Sequence, residues 1–101
     1  MMKTPRLRSN PAAGLLADAL AHEELKPAHA AREMGIPRSR LSDIFADRKG
    51  VSADTALRVE QYLGISAALL MRLQSDYDLS RAAADKGEQI RKSVQRRPVA
   101  V

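Results

Sequence analysis

The sequence predicts an all-α protein of five helices, and three observations support this fold class. Apolar residues recur at spacings of three and four over most of the chain, as on the buried face of a helix. Residues that cap or end helices divide these segments, with proline, serine or asparagine before them and glycine after them. Valine, isoleucine and threonine are scattered and alternate with polar residues over no more than about four positions, which is not the pattern of strands.

The first two helices are predicted from their starts. Asn10 suits an N-cap, and the proline after it suits the first helical position, so a helix is predicted from Pro11 to Glu24. Proline also opens the second helix, which is predicted from Pro27 to Met34. Gly35 then takes the turn, where a positive φ would penalise any side chain.

The remaining helices follow from similar signals. The third helix is predicted from about Pro37 to Ala46, and a charged turn follows it. Ser52 is a suitable N-cap for the fourth helix, and Gly64 ends it. Ser66 caps the fifth helix, which is predicted to run to about Ala84.

Charge divides the 101-residue chain into a near-neutral body and two basic tails. The formal net charge is +5, and a charge of +3 in each tail leaves −1 for the body. The length predicts a single domain, over residues 11–84, and residues 1–10 are predicted to be a disordered basic arm. Residues 85–101 contain Gly87 and Pro98 and show little periodicity, so they are predicted to be a basic, disordered tail. Such tails are typical of proteins that bind nucleic acid or an acidic partner, although they also serve solubility alone.

Several classes of function find no support in the composition. The chain has no cysteine, which excludes disulfides and thiolate metal sites and is compatible with a reducing cytoplasm. No apolar run approaches the roughly 20 residues that span a bilayer, and the basic N-terminus lacks the apolar segment of a signal peptide. No nucleophile stands beside a plausible base, and the histidines lack metal-ligand spacing. We expect neither an enzyme nor a metal or cofactor site.

The segment over residues 31–50 has the spacing of a helix-turn-helix. Ala31 lets a second helix approach closely, and Gly35 takes the turn. Leu41 and Ile44, three residues apart, pack the second helix of the pair against the first. The outer positions of that helix are polar and can hydrogen-bond to base edges or phosphates. A tight helical hairpin with a solvated polar face would share this spacing.

In the DNA-binding interpretation, the third helix enters the major groove with its N-terminal residues foremost. Arg38 could bind the O6 and N7 atoms of a guanine, and Asp43 could accept from a cytosine amine. The other polar positions would contact bases or phosphates, and the cations on either side of the helix would hold the backbone. The predicted DNA-binding residues are Lys26, Pro37, Arg38, Ser39, Arg40, Ser42, Asp43, Arg48 and Lys49.

The fifth helix carries an apolar stripe with two interpretations. The stripe consists of Leu69, Leu70, Leu73 and Tyr77. It could belong to the core of the domain, or it could form the interface of a homodimer. The apolar arc is wide enough for both, and we predict dimerisation through these residues. Two copies would read a two-fold site with half-sites about 34–36 Å apart.

The segment from Gly35 to Leu79 resembles the HigA family of toxin–antitoxin antidotes, within the wider Xre-type, lambda-repressor-like helix-turn-helix group. The matching runs are GIPRSRLSDIF, RKGVSADTALRVEQYLGIS and LQSDYDL at 73–79. The resemblance implies a cytoplasmic antitoxin that binds its own operator DNA as a dimer and represses its operon. It also implies a partner toxin of the HigB type, an mRNA endonuclease that the antitoxin neutralises, and it places the recognition helix on Pro37 to Ile44.

The sequence departs from the family pattern at three places. Residues 10–13 are Asn-Pro-Ala-Ala where the family has His-Pro-Gly-Glu, Leu69-Leu70 replace Phe-Trp, and Ala46-Asp47 replace Asn-Gly. Two other functions stay open at this point. One is a stand-alone Xre-type repressor with no toxin partner, and the other is a protein-binding module that uses the helix-turn-helix only for packing.

Overall fold

Five helices make up the computed structural model, which describes residues 9–99. They are α1 (Pro11–His22), α2 (Pro27–Met34), α3 (Arg38–Phe45), α4 (Ala53–Leu63) and α5 (Ala67–Ser93). The structure contains no strand within the described residues, so the predicted all-α, five-helix class is confirmed. None of these helices combines the length and the apolar character that a membrane span requires.

The predicted starts of the helices agree with the structure because each start is encoded locally. The Asn10 side chain accepts a hydrogen bond from the Ala12 amide at 3.0 Å, and Ser52 caps α4 in the same manner. In α1 and α3 the predicted and the observed helices differ only in their terminal residues. Helix α1 stops two residues early, and Pro37 is the N-cap of α3 rather than its first residue.

The C-terminal tail is the main error of the sequence-based prediction. Residues 85–93, predicted to be disordered, continue α5 as far as Ser93. A helix that is already formed extends cheaply, and Gly87 alone costs only about 1 kcal/mol relative to alanine. The residues around it are mostly good helix formers, and Lys92 lies 3.5 Å from Glu88, one turn earlier. Residues 1–8 of the predicted arm, and residues 100 and 101, lie outside the described residues.

The hydrophobic core contains side chains from all five helices, and its largest fully buried side chains come from α1, α3, α4 and α5. Each of these four helices supplies at least one side chain that is almost fully buried: Leu16, Leu41, Ile44, Val59 and Leu70. Burying an aliphatic side chain of this size contributes about 1.5–3 kcal/mol. The core therefore fixes α3 by its inner face and leaves the outer face of that helix exposed.

The predicted dimer stripe on α5 is divided between the core and the surface. Leu70 and Tyr77 are 0% and 3% exposed within the chain itself, so these two residues are wrong as interface residues. They are buried because α5 packs along α1 and α4. Leu69 is 42% exposed, and Leu73 is partly buried against the core.

A buried polar cluster joins the start of α1, the turn after α3 and the middle of α5. The Gln74 side-chain oxygen accepts hydrogen bonds from the Asn10 amide group and from the Val51 backbone amide, both at 2.7 Å. The Gln74 amide group donates to Asp78 at 2.9 Å. A Cβ atom on Gly50 would lie 2.5 Å from the Gln74 nitrogen, so the chain approaches this side chain as closely as glycine allows.

Candidate DNA-binding surface

The turn between α2 and α3 has the geometry of a helix-turn-helix. Ala31 is 1% exposed, and Gly35 adopts a left-handed conformation with φ of 72°. The Ile36 amide donates to the Ala31 carbonyl at 3.0 Å, which closes the end of α2. From α4, the Arg58 guanidinium donates to the Met34 carbonyl at 3.0 Å. The angle between α2 and α3 is thus fixed by backbone geometry and by a side chain from a third helix.

Helix α3 buries one face and exposes the other, as the sequence predicted. Leu41 and Ile44 are each 1% exposed and pack into the core. Arg38, Ser39 and Ser42 are exposed on the same helix. The side chains that could contact DNA therefore belong to an element whose position is set by the hydrophobic core.

On the α2 side of α3, the structure brings three of the predicted residues to one groove. Lys26, Arg38 and Ser42 line it, together with the partly buried Phe45. Lys26 is the N-cap of α2 and makes no side-chain cap hydrogen bond. Lys26 and Arg38 form no ion pair with any residue in the range 9–99, so both cations are available to an anionic ligand.

On the opposite side, a second groove lies between α3 and the start of α4. Arg40, Lys49 and Ser52 contribute to its lining. The Arg40 guanidinium lies 3.5 Å from an Asp54 carboxylate oxygen, and that same oxygen accepts from Arg58 at 3.0 Å. Arg40 is thereby directed toward α4, whereas Lys49 has no ion-pair partner among the described residues.

Asp43 contacts the turn that follows α3. Its carboxylate accepts from the Arg48 guanidinium at 2.8 Å, and its backbone carbonyl accepts from the amides of Arg48 and Lys49 at 2.8 and 3.2 Å. The side chain of Asp43 is 24% exposed, against 62% for Arg48. Asp43 therefore orients Arg48 in this structure, and its contact with a cytosine stays a prediction.

Asp47, in the same turn, is held by two residues of α5. It has a positive φ of 59°, which is uncommon for a residue other than glycine. The Tyr77 hydroxyl donates to the Asp47 carboxylate, and the Arg81 guanidinium lies 3.5 Å from the same oxygen. The Arg81 guanidinium also lies over the Tyr77 ring, 5.4 Å from its centre. The hydrogen bond to Asp47, together with burial, raises the pKa of Tyr77 above its usual value of 10.

The chain is similar in sequence and structure to known helix-turn-helix proteins. A helix-turn-helix family model matches residues 24–70, which span α2 to α4. Virulence-associated protein I of Dichelobacter nodosus is 40% identical over 72 residues, which cover 66% of this chain and 67% of that protein. The structure of the Pseudomonas aeruginosa antitoxin HigA with the higBA promoter is 32% identical, with a TM-score of 0.79 over 90% of this chain and 97% of that one. The chain belongs to the HigA family of helix-turn-helix antitoxins.

The similarity to HigA-family structures extends beyond the helix-turn-helix. The antitoxin GraA is 29% identical to this chain and has a TM-score of 0.82, over 94% of this chain and all of its own. The likeness therefore includes α1 and α5 as well as the matched segment. It confirms the family that the LQSDYDL run and its neighbours indicated.

The structure explains three polar residues of the LQSDYDL run. Gln74, Tyr77 and Asp78 all take part in side-chain hydrogen bonds, and two of these bonds reach the turn that follows α3. Sequence reasoning treated Tyr77 as an apolar residue of a stripe and missed these contacts. The polar positions inside the run were a signal, but their partners lie too far along the chain to be read from spacing.

Proposed function

We propose that this HigA-family protein binds operator DNA through α3 and the cations that flank it. The observation that carries the proposal is the distribution of these cations on both sides of one helix. Lys26 and Arg38 line the groove toward α2, and Arg40 and Lys49 line the groove toward α4. Since phosphate rows border the major groove on both sides, a helix flanked in this manner suits entry into that groove. The structure of the related P. aeruginosa HigA with the higBA promoter supports operator DNA as the ligand.

Arg38 is the best candidate for direct reading of a base. It is the first residue of α3, it is exposed, and no described residue pairs with it. An arginine at this end of a recognition helix can donate two hydrogen bonds to a guanine. Ser39 and Ser42, also exposed, are short side chains for base or phosphate contacts close to the helix.

Salt dependence of binding tests this surface. Lys26→Ala and Lys49→Ala should each reduce the steepness of the dependence of log K for operator binding on log salt by about 1. The loss of affinity should be similar for all operator variants. Lys92→Ala, near the far end of α5, is the matched control because it removes the same charge away from α3. Unchanged slopes for the first two variants would contradict the proposal. A loss confined to Lys92→Ala would assign the affinity to the C-terminal segment instead.

We further propose that the protein represses its own operon and neutralises a HigB-like mRNA endonuclease in the cytoplasm. Membership of the HigA family supports this role. The role requires a neighbouring reading frame that encodes a small basic protein. Two assays then test it: co-purification of that protein with this chain, and rescue of growth when both are expressed. Failure of both assays would leave a stand-alone repressor, provided that operator binding is observed.

We propose that two copies associate through the exposed side of α5. Leu79 and Ile90 are 72% and 50% exposed, and at about 100° per residue they fall within about 20° of each other on the helix. Leu79→Asp should shift the protein toward monomer in analytical ultracentrifugation. Leu57→Asp is the control, because Leu57 is 61% exposed on α4. Equal behaviour of the two variants would place the interface elsewhere.

A further inference from the structure

The turn between α3 and α4 is attached to α5 at two points. At its start, the Asp47 carboxylate accepts from the Tyr77 hydroxyl and lies 3.5 Å from the Arg81 guanidinium. At its end, the Val51 amide donates to the Gln74 side chain at 2.7 Å. The turn is therefore fixed by a helix that takes no part in the helix-turn-helix itself.

Arg48 and Lys49 lie between these two attachment points. Their backbone amides donate to the Asp43 carbonyl, and their side chains are exposed. Asp47, directly before them, has a positive, left-handed φ that residues other than glycine rarely adopt. The conformation of the turn therefore depends on the contacts that Asp47 makes.

We infer that Tyr77 is a positioning residue for phosphate binding, since through Asp47 it fixes the backbone of the turn that carries Arg48 and Lys49. This inference rests on the proposed function. A turn whose backbone is already held loses less conformational freedom when its cations bind phosphate, which raises affinity without a new contact. Phosphate contacts carry no direct sequence information, so the gain should be equal for all operator variants.

Removal of one hydroxyl group tests this role. Tyr77→Phe keeps the buried ring and should lower operator affinity by about threefold to tenfold, equally for all operator variants. Tyr62→Phe is the matched control, because the Tyr62 hydroxyl donates to Glu33 at the end of α2 and does not contact the turn. It should leave affinity unchanged. An unchanged affinity for Tyr77→Phe, or an equal loss for Tyr62→Phe, would overturn the inference.

A double-mutant cycle distinguishes positioning from general support of the fold. If Tyr77 acts through the two cations, Tyr77→Phe should have no further effect on a protein that carries Arg48→Ala and Lys49→Ala. A loss that persists in that background would show that Tyr77 acts by another route. Wild-type protein that fails to bind its upstream DNA would refute the proposed function itself, which is a separate outcome.

Substitution of Asp47 provides a second, independent measurement. Asp47→Asn and Asp47→Ala remove the same charge, but only asparagine keeps an acceptor for Tyr77 and tolerates a positive φ. Asp47→Asn should therefore bind the operator several-fold more tightly than Asp47→Ala. Equal affinities of the two variants would contradict a role for the Tyr77 contact in orienting the turn.

Discussion

Replacement of Gln74 by methionine should destabilise this protein far more than a substitution on one helix usually does. Methionine has a similar length and volume, so the variant leaves little cavity. It cannot accept the hydrogen bonds that the Gln74 oxygen receives from Asn10 and Val51. The substitution therefore isolates the polar contribution of a side chain that joins three parts of the fold.

The expected magnitude follows from the burial of the two donors. Asn10 and Val51 are only 4% and 3% exposed, so water cannot replace the lost acceptor without movement of the chain. A buried donor left without a partner costs about 1–3 kcal/mol, which gives about 2–6 kcal/mol for the pair. In a domain of this size each 1 kcal/mol lowers the melting temperature by about 4–8 °C.

Urea unfolding followed by far-ultraviolet circular dichroism measures the effect. The midpoint should fall while the dependence on urea concentration stays the same, since the surface exposed on unfolding hardly changes. Gln89→Met, at an exposed position of α5, is the matched control and should stay within about 0.5 kcal/mol of the wild type. A Gln74→Met variant as stable as this control would refute the reasoning.

Four further substitutions have defined expectations. Arg38→Ala should weaken operator binding by about 1–3 kcal/mol and relax the preference at one base pair, as measured by titration of operator variants. Gly35→Ala should lower the free energy of unfolding by about 1–2 kcal/mol, because alanine is strained at a φ of 72°. Gly14→Ala should raise the free energy of unfolding, because Gly14 is an exposed residue of α1 with space for a Cβ atom. The hydrogen bond to Asp47 raises the pKa of Tyr77. The stability that this bond gives the protein is therefore complete below about pH 10 and is lost as the pH rises through the raised pKa. Tyr77→Phe should reduce the fall of the urea midpoint at alkaline pH.

Each of these expectations has a contrary result. An equal loss on all operator variants would make Arg38 a phosphate contact. A Gly35→Ala protein as stable as the wild type would mean that the turn relaxes without cost. For Tyr77→Phe, an alkaline decline as steep as that of the wild type would show that the hydroxyl does not control it.

Features encoded over a few residues could be predicted from the sequence. The N-caps Asn10 and Ser52 and the left-handed Gly35 and Gly64 act on their immediate neighbours, so their helices begin and end close to the predicted positions. The outer face of α3 was predictable for the same reason. Once the apolar positions of a short helix are known, the exposed positions follow from its periodicity.

Features that join distant residues could not be predicted from spacing. Asn10 and Gln74 are 64 positions apart, and Tyr77 and Asp47 are 30 apart, so no local pattern connects them. The pairing of Arg40 with Asp54 likewise depends on how α4 packs against α3. The end of α5 was not predictable from periodicity, because residues 85–93 extend an existing helix through their helix propensity and bury no apolar face.

The close approach of Gly50 to Gln74 has a consequence for how such sequences can change during evolution. A side chain at position 50 would collide with the Gln74 amide, which could move away only by losing its hydrogen bonds to Asn10 and Val51. Glutamine at position 74 therefore favours glycine at position 50. Asn10 shares the same acceptor, and its loss removes one reason to keep that glutamine. Positions 10, 50 and 74 should therefore vary together in an alignment of relatives, although they are far apart in the chain.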